Sequence, residues 1–182
     1  YRVSAVAEGY VTNYLGEILL SPADMPLNIR LDRPGVVRGN VYQANGTTAL
    51  PGATVEIVSP TNAERVYSAG SANATGAYTT APSTYGDQQQ TGDYLVRAYM
   101  PGYELEYYAN KTSAATATRV RVPVNTTVSS INFTLARAGR ISGHVYAADG
   151  VTPLAWATVN AYLPGQWSAP VDTAYTLADG SY

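Results

Sequence analysis

The chain has no cysteine, one histidine and a single lysine, Lys111, in 182 residues. Without cysteine, neither a disulfide nor a thiolate metal site can hold it together. That leaves the compartment open, since cysteine-free β-proteins are also secreted. Charged residues make up 13% of the chain and the net charge is −2, against about 25% charged residues in an ordinary globular protein. This balance argues against nucleic acid and against anionic membrane surfaces as partners. No apolar run approaches the ~18 residues needed to span a bilayer as a helix. No leader peptide is visible and residue 1 is Tyr, which reads as a processed form or as part of a longer chain.

Catalytic motifs are also missing. There is no G-x-S-x-G, no phosphate-binding glycine loop and no H-E-x-x-H. His144 alone could anchor a histidine-based triad, and it reads as a surface polar residue. The 13 carboxylates are scattered, with no D-x-D-x-D-G loop, so a calcium site would have to be assembled from distant loops. The sequence therefore predicts neither an enzyme nor a cofactor. What it has instead is 16 tyrosines and abundant Thr, Ser, Asn and Gln. Such a composition suits an extracellular β-protein whose surface is glycosylated, assembled, or both.

The main positive feature is an internal repeat. "GVVRGNVYQANGTTALPGATVEIVSP" (35–60) aligns without a gap with "GRISGHVYAADGVTPLAWATVNAYLP" (139–164), at an offset of 104 and with 12 of 26 positions identical. Gly39 and Gly143 fall inside strand patterns, where glycine marks a bulge or a close backbone approach. Asn45-Gly46 and Asp149-Gly150 read as hairpin turns. At the same offset "LNIRLDRPG" (27–35) matches "INFTLARAG" (131–139), and "ATGAY" (74–78) matches "ADGSY" (178–182). "YRVSAVAEGY" (1–10) matches "YLVRAYMPGY" (94–103) at an offset of 93, which places about eleven extra residues of the second copy within 104–130. Residues 35–138 thus read as one complete repeat, 1–34 as the later part of one and 139–182 as the earlier part of another. A period near 100 suits tandem β-sandwiches rather than a solenoid.

Period-2 alternation in "ATVEIV" (53–58), "YLVRAYM" (94–100), "TRVRVPV" (118–124) and "SINFTLA" (130–136) predicts strands. Pro123 predicts that its strand lies at a sheet edge. The one helix candidate, "AERVYSAGSANA" (63–74), is weakened by its glycine and β-branched residues. The chain is expected to be all-β, built of tandem antiparallel β-sandwiches of about seven strands per unit.

The repeat can be written G-x-[VI]-x-G-x-V-Y, a turn, L-P or P-L, then G-A-x-V or W-A-x-V, D/T-G-x-Y, G-D-Y-x-V-x-A and G-Y. This pattern resembles the carboxypeptidase regulatory-like domain, a transthyretin-like (prealbumin-like) sandwich. It is also similar to the B-type repeats of bacterial collagen adhesins. The resemblance implies an accessory, adhesive or stalk module and carries over no catalytic residue. Some adhesin repeats form Lys–Asn isopeptide crosslinks, but the lone Lys111 lies in the inserted loop and has no counterpart in the other copies.

Five of ten asparagines stand in Asn-x-Thr sequons, namely Asn45, Asn73, Asn110, Asn125 and Asn132, where chance would give about two. They are the candidate glycosylation sites. Asn45 has a competing role in its turn, whereas Asn132, between Ile131 and Phe133, faces solvent if those two face a core. "GYELEYY" (102–108) and "AYLPGQW" (161–167) are candidate sugar-stacking platforms, while tyrosine is also an ordinary strand residue that packs well across sheets.

The cut repeats set the functional expectation. Neither partial repeat can bury its own apolar face, and each exposes unpaired strand edges. Joined head to tail between neighbouring copies, they would complete one shared sandwich and propagate as a homopolymer. Continuation into a longer tandem chain predicts the same junction, with the stretch 79–93 lacking an equivalent in either case. The expectation is a structural, extracellular protein of filaments or surface stalks, with glycans as candidate partners. The alternative is a carbohydrate- or matrix-binding accessory module of a larger secreted enzyme or adhesin.

Overall fold

The computed structural model describes residues 1–19, 25–82, 89–165 and 167–182. Parts of the 79–93 stretch and of the 161–167 aromatic stretch lie outside the described residues. The described residues form strands, turns and bends with no helix. The chain divides into two compact units, Tyr1–Ala138 and Gly139–Tyr182.

The first unit contains a two-layer sandwich. One sheet runs β10(Val120–Val122), β8(Gly92–Tyr99), β4(Thr54–Val58), β5(Val66–Ser71), β7(Ala81–Pro82), with β9(Glu106–Tyr107) also pairing β8. The other places β3(Val36–Gln43) beside β11(Thr127–Val128) and β12(Phe133–Leu135), with β6(Ala77–Thr79) also pairing β3. Among the described residues this makes ten segments between residues 35 and 138, three of them only two residues long. The alternating patterns deliver the core directly. Val55, Ile57, Tyr94, Val96, Ala98, Val120 and Val122 from the first sheet meet Val37, Val41, Tyr78, Phe133 and Leu135 from the second in one buried cluster. β10 ends its sheet, as Pro123 just beyond it requires. The helix candidate at 63–74 is instead largely strand β5, held on β4 from Thr54↔Ser71 onward.

One expectation changes. Most pairs are antiparallel, but β3 pairs β12 in parallel (Phe133↔Val41, Leu135↔Gln43) and also β11 in parallel (Thr127↔Val36). The chain reaches these positions by crossing from the other sheet rather than by a hairpin, so no tight turn forces reversal. The Asn-Gly turn is present, with Tyr42 and Ala49 bridged antiparallel across it. Gly46 N–H donates to Gln43 O at 2.8 Å, and Gln43 N–H to Thr48 O at 2.8 Å. Asn45 therefore sits inside the turn, and Gly46 follows it at φ +71°, a conformation glycine adopts without strain.

Within the first unit, β1(Arg2–Ala5) pairs β2(Asn13–Glu17). This pair repeats the arrangement of β8 and β9. Ser4↔Tyr14 and Ala5↔Asn13 correspond, at the repeat offset, to Arg97↔Tyr107 and Ala98↔Glu106. The bond Tyr10 N→Ala7 O recurs as Tyr103 N→Met100 O, and Val11 N→Asp32 O recurs as Glu104 N→Ala136 O. Arg33 over the Tyr10 ring recurs as Arg137 over Tyr103. The second unit holds β13(Thr158–Ala161) against β14(Asp172–Tyr175). Thr158↔Tyr175 reproduces Thr54↔Ser71, and His144↔Ser181 reproduces Asn40↔Ala77.

The two copies of the first turn make the same bonds with different chemistry. Asn45 Oδ1 accepts from the backbone N–H groups of Thr47 and Thr48. Asp149 Oδ1 accepts from those of Val151 and Thr152, and Oδ2 accepts the Thr152 hydroxyl. The Thr152 hydroxyl and these N–H groups hold the Asp149 carboxyl down at about 2. A depressed carboxylate contributes its stabilisation fully above the unfolded value of about 3.9 and loses it as pH falls through the folded one. A side-chain carboxyl NMR titration is expected to give Asp149 a midpoint of about 2. A midpoint near 4 (the free value) would mean that the turn is not formed in solution.

Candidate functional site

The surfaces that stand out are those of the partial copies, where apolar residues matching the core lie bare. In the complete repeat Val37 is 0% exposed and Leu50 4%; their counterparts Ile141 and Leu154 are 76% and 40% exposed. Val55, Ala53 and Val41, all at 0%, correspond to Val159, Ala157 and Val145, none of which is buried. Among the described residues of the second unit no hydrophobic side chain is buried. In the early part of the first unit the same contrast holds. Tyr94 (8%) corresponds to Tyr1 (78%), and Ile131 (5%) to Leu27 (44%).

The strand edges tell the same story. β4 is paired on both sides, by β5 and β8. Its counterpart β13 is paired by β14 alone, so among the described residues its second edge is unpaired. β8 is likewise flanked by β4 and by β9 and β10. Its counterpart β1 has β2 on one side and no strand on the other among the described residues. Residues 141–147 bond Gly180 and Tyr182 on one side, through Gly143 and Val145. Among the described residues of the second unit, the flank that β12 occupies along β3 has no strand partner. Unpaired N–H and C=O groups beside a bared apolar face form a template for strand addition.

Two local features distinguish the surface from the finished sandwich. In the complete repeat Glu56 and Arg97 face each other across β4 and β8, with Arg97 Nε donating to Glu56 Oε2 at 2.8 Å and side chains only 11–13% exposed. Their counterparts are Asn160 and Ser4. In the complete repeat the carbonyl of Ile131 lies over Gly39, 1.9 Å from where a Cβ would stand, and it accepts the Tyr78 hydroxyl at 2.6 Å. Gly143 faces instead the ring of Tyr182, the counterpart of Tyr78, at 3.0–3.1 Å. The close backbone approach expected at both glycines is thus present at Gly39; at Gly143 a side chain fills the space.

All five sequon asparagines are exposed. Asn132 lies between buried Ile131 and Phe133 and accepts the Asn40 N–H through Oδ1. Asn73 Oδ1 accepts from Thr75 and Ala77. Asn110 takes a left-handed conformation, φ +57°. The other two commit their amides. Asn45 Nδ2 donates to the Thr48 hydroxyl and Asn125 Nδ2 to Asp32, each at 2.7 Å. Asn125 also bonds both backbone groups of Arg33, which clamps the segment leading into β3. The structure does not gather these five residues into one place.

The 102–108 aromatics are mostly structural. Tyr107 is buried, and Tyr103 and Tyr108 pack against the core. In the 161–167 stretch Tyr162 and Trp167 rings lie 5.4 Å apart, with Trp167 exposed. Lys111 bonds Tyr107 through its backbone. His144 is exposed and stacks on Tyr146 at 5.8 Å. Among the described residues no group of three or more His, Cys, Asp or Glu could hold a metal ion, and no helix is long and apolar enough to cross a membrane.

The fold defines an all-β sandwich chain with sheet edges that are unpaired among the described residues. No family model matches the sequence, and no curated protein matches it. Among solved structures the chain is similar to one from a type II cohesin–X–dockerin complex of Acetivibrio cellulolyticus, an N-terminal interface mutant. The identity is 18% and the TM-score 0.32, over 54% of this chain and 56% of that one. The chain thus spans little more than half the length of the structure it matches.

Proposed function

We propose that the chain is a structural, extracellular repeat protein that builds filaments or surface stalks. In this reading residues 1–34 and 139–182 are the later and earlier parts of sandwiches completed by strands from a neighbouring subunit or from further repeats of a longer chain. One observation carries it, the residue-by-residue correspondence between the buried core of 35–138 and the bared face of 139–182. Fully burying one Leu- or Ile-sized side chain contributes roughly 1.5–3 kcal/mol, which covering strands would supply to the bared face. A head-to-tail contact of this kind is heterologous and grows into a fibre unless it closes a ring.

Negative-stain microscopy of native material is expected to show filaments or extended stalks. A monodisperse single-chain particle with slow amide exchange throughout 139–182 would overturn the reading, because that unit would then be stable without a partner.

Glycans fit the same lysine-poor, hydroxyl-rich surface. Since an N-linked glycan occupies Nδ2, Asn73, Asn110 and Asn132 are expected to be modified ahead of Asn45 and Asn125, whose amides are engaged. Glycopeptide mass spectrometry of native material checks this order, and occupancy concentrated at Asn45 or Asn125 would contradict it.

A further inference from the structure

We propose that Trp156 and Tyr175 form a platform that binds a neutral glycan. Trp156 stands where the complete repeat has Gly52. Both take the left-handed conformation, Gly52 at φ +82° and Trp156 at φ +62°. Glycine adopts it freely, whereas for a bulky side chain it is an outlier. Trp156 is also 84% exposed, so no burial of the ring offsets the strain.

The turn is held by bonds that the complete repeat lacks. The main-chain bonds are common to both copies. Trp156 N–H donates to Thr176 O and Thr176 N–H to Ala157 O, as Gly52 N–H donates to Ala72 O and Ala72 N–H to Ala53 O. Trp156 and Ala157 together oppose Thr176, a β-bulge whose left-handed first position is ordinarily glycine. Thr176 replaces Ala72 and adds a buried hydroxyl. That hydroxyl donates to Leu154 O at 2.6 Å and accepts the Ala157 N–H at 2.9 Å. A strained residue persists only where its surroundings over-determine it, and such residues cluster at ligand sites.

This site does not depend on what covers the sheet edges. A Cβ at Gly52 would meet nothing within 4 Å, although the sandwich around it is complete. Tyr175, paired with Thr158, likewise takes the place of Ser71, which is exposed in the complete repeat. The two rings are additions to the surface, not core residues left bare. Leu177 in place of exposed Asn73 adds an apolar edge on the other side of Thr176.

Charge selects the ligand class. Residues 141–182 contain no Lys or Arg, which leaves an anionic ligand no counter-charge. Asp149 and Asp179 commit their carboxylates to their own turns. Near Tyr175 on β13 and β14 stand exposed Thr158, Asn160 and Thr173, the last donating its hydroxyl to Asn160 Oδ1 at 2.8 Å. A saccharide offers a C–H face to the rings and hydroxyls to these neutral groups.

Isothermal titration of the full chain, made without N-glycans, against maltohexaose, cellohexaose and chitohexaose is the test. At least one of these sugars is expected to bind. Trp156→Gly, which installs the residue of the complete repeat, is expected to weaken that binding by about tenfold or more. The same variant is expected to unfold no earlier than the parent, because it relieves the strained turn. Tyr175→Ser is expected to weaken binding as well, and Trp167→Ala to leave it unchanged.

Binding that survives Trp156→Gly, or that is lost with Trp167→Ala instead, overturns the site. Earlier unfolding of Trp156→Gly shows that the ring supports the fold and overturns its role as a displayed platform. Failure of all three sugars to bind overturns the ligand class, and self-association that Trp156→Gly abolishes would then assign the ring to a protein partner.

Discussion

Gly39→Ala is expected to destabilise the complete sandwich by about 3–4 kcal/mol. A Cβ at this position would stand 1.9 Å from the Ile131 carbonyl oxygen and 2.6 Å from its carbon, so the 131–133 segment has to move away from β3. That movement lengthens Ile131 N→Arg38 O and Tyr78 Oη→Ile131 O, each worth about 1 kcal/mol. It also opens the packing of Phe133, which is 1% exposed; strain of this kind costs roughly 1–3 kcal/mol. For a domain near 100 residues the midpoint of thermal unfolding is expected to fall by more than about 10 °C. Gly143→Ala in separated chains is expected to change little, because the nearest atoms belong to the Tyr182 side chain, which can swing aside. Calorimetry of the two variants checks the contrast, and equal losses would show that the repeat position, rather than the Ile131 carbonyl, sets the cost.

Arg97→Ala is the second variant with a large expected effect, about 3 kcal/mol. It leaves the covered Glu56 carboxylate with the Tyr99 hydroxyl, 3.0 Å away, and without its cation. Removing one partner of a covered ion pair is far costlier than removing both, since the survivor stays desolvated. The double variant Glu56→Asn with Arg97→Ser, which installs the residue types found at 160 and 4, is therefore expected to be more stable than Arg97→Ala alone. A double-mutant cycle by urea denaturation measures the coupling. A coupling below about 0.5 kcal/mol would place the pair with ordinary exposed salt bridges.

The strands were largely legible in the sequence, because alternation at period 2 reports a strand wherever it persists, as in Thr54–Val58 and Gly92–Tyr99; that both are buried on two faces at their centres was not. The edge position of β10 was legible through Pro123. Pairing between distant segments was not. Nothing local in Phe133–Leu135 tells that it will lie parallel to Val41–Gln43, since that register is settled by packing across the two sheets. The Glu56–Arg97 contact joins residues 41 apart, and its only trace was a Glu and an Arg each at the centre of an apolar alternation. For the tyrosines at 103, 107 and 108 the sequence left both a stacking face and core packing open, because aromatic composition does not distinguish the two.

The parallel pairing of β3 with β12 has a mechanical consequence. These are the first and last strands described in the 35–138 repeat, and they lie side by side through Val41↔Phe133, Tyr42↔Thr134 and Gln43↔Leu135, with Val36↔Thr127 and Val37↔Val128 adding to the seam. Tension entering at one end of the repeat and leaving at the other pulls the two strands in opposite directions along their length. The load then falls on the whole row of backbone hydrogen bonds together, in shear, instead of opening them one after another. A strand order that looks like a detail of topology thus makes the repeat a link suited to bearing force.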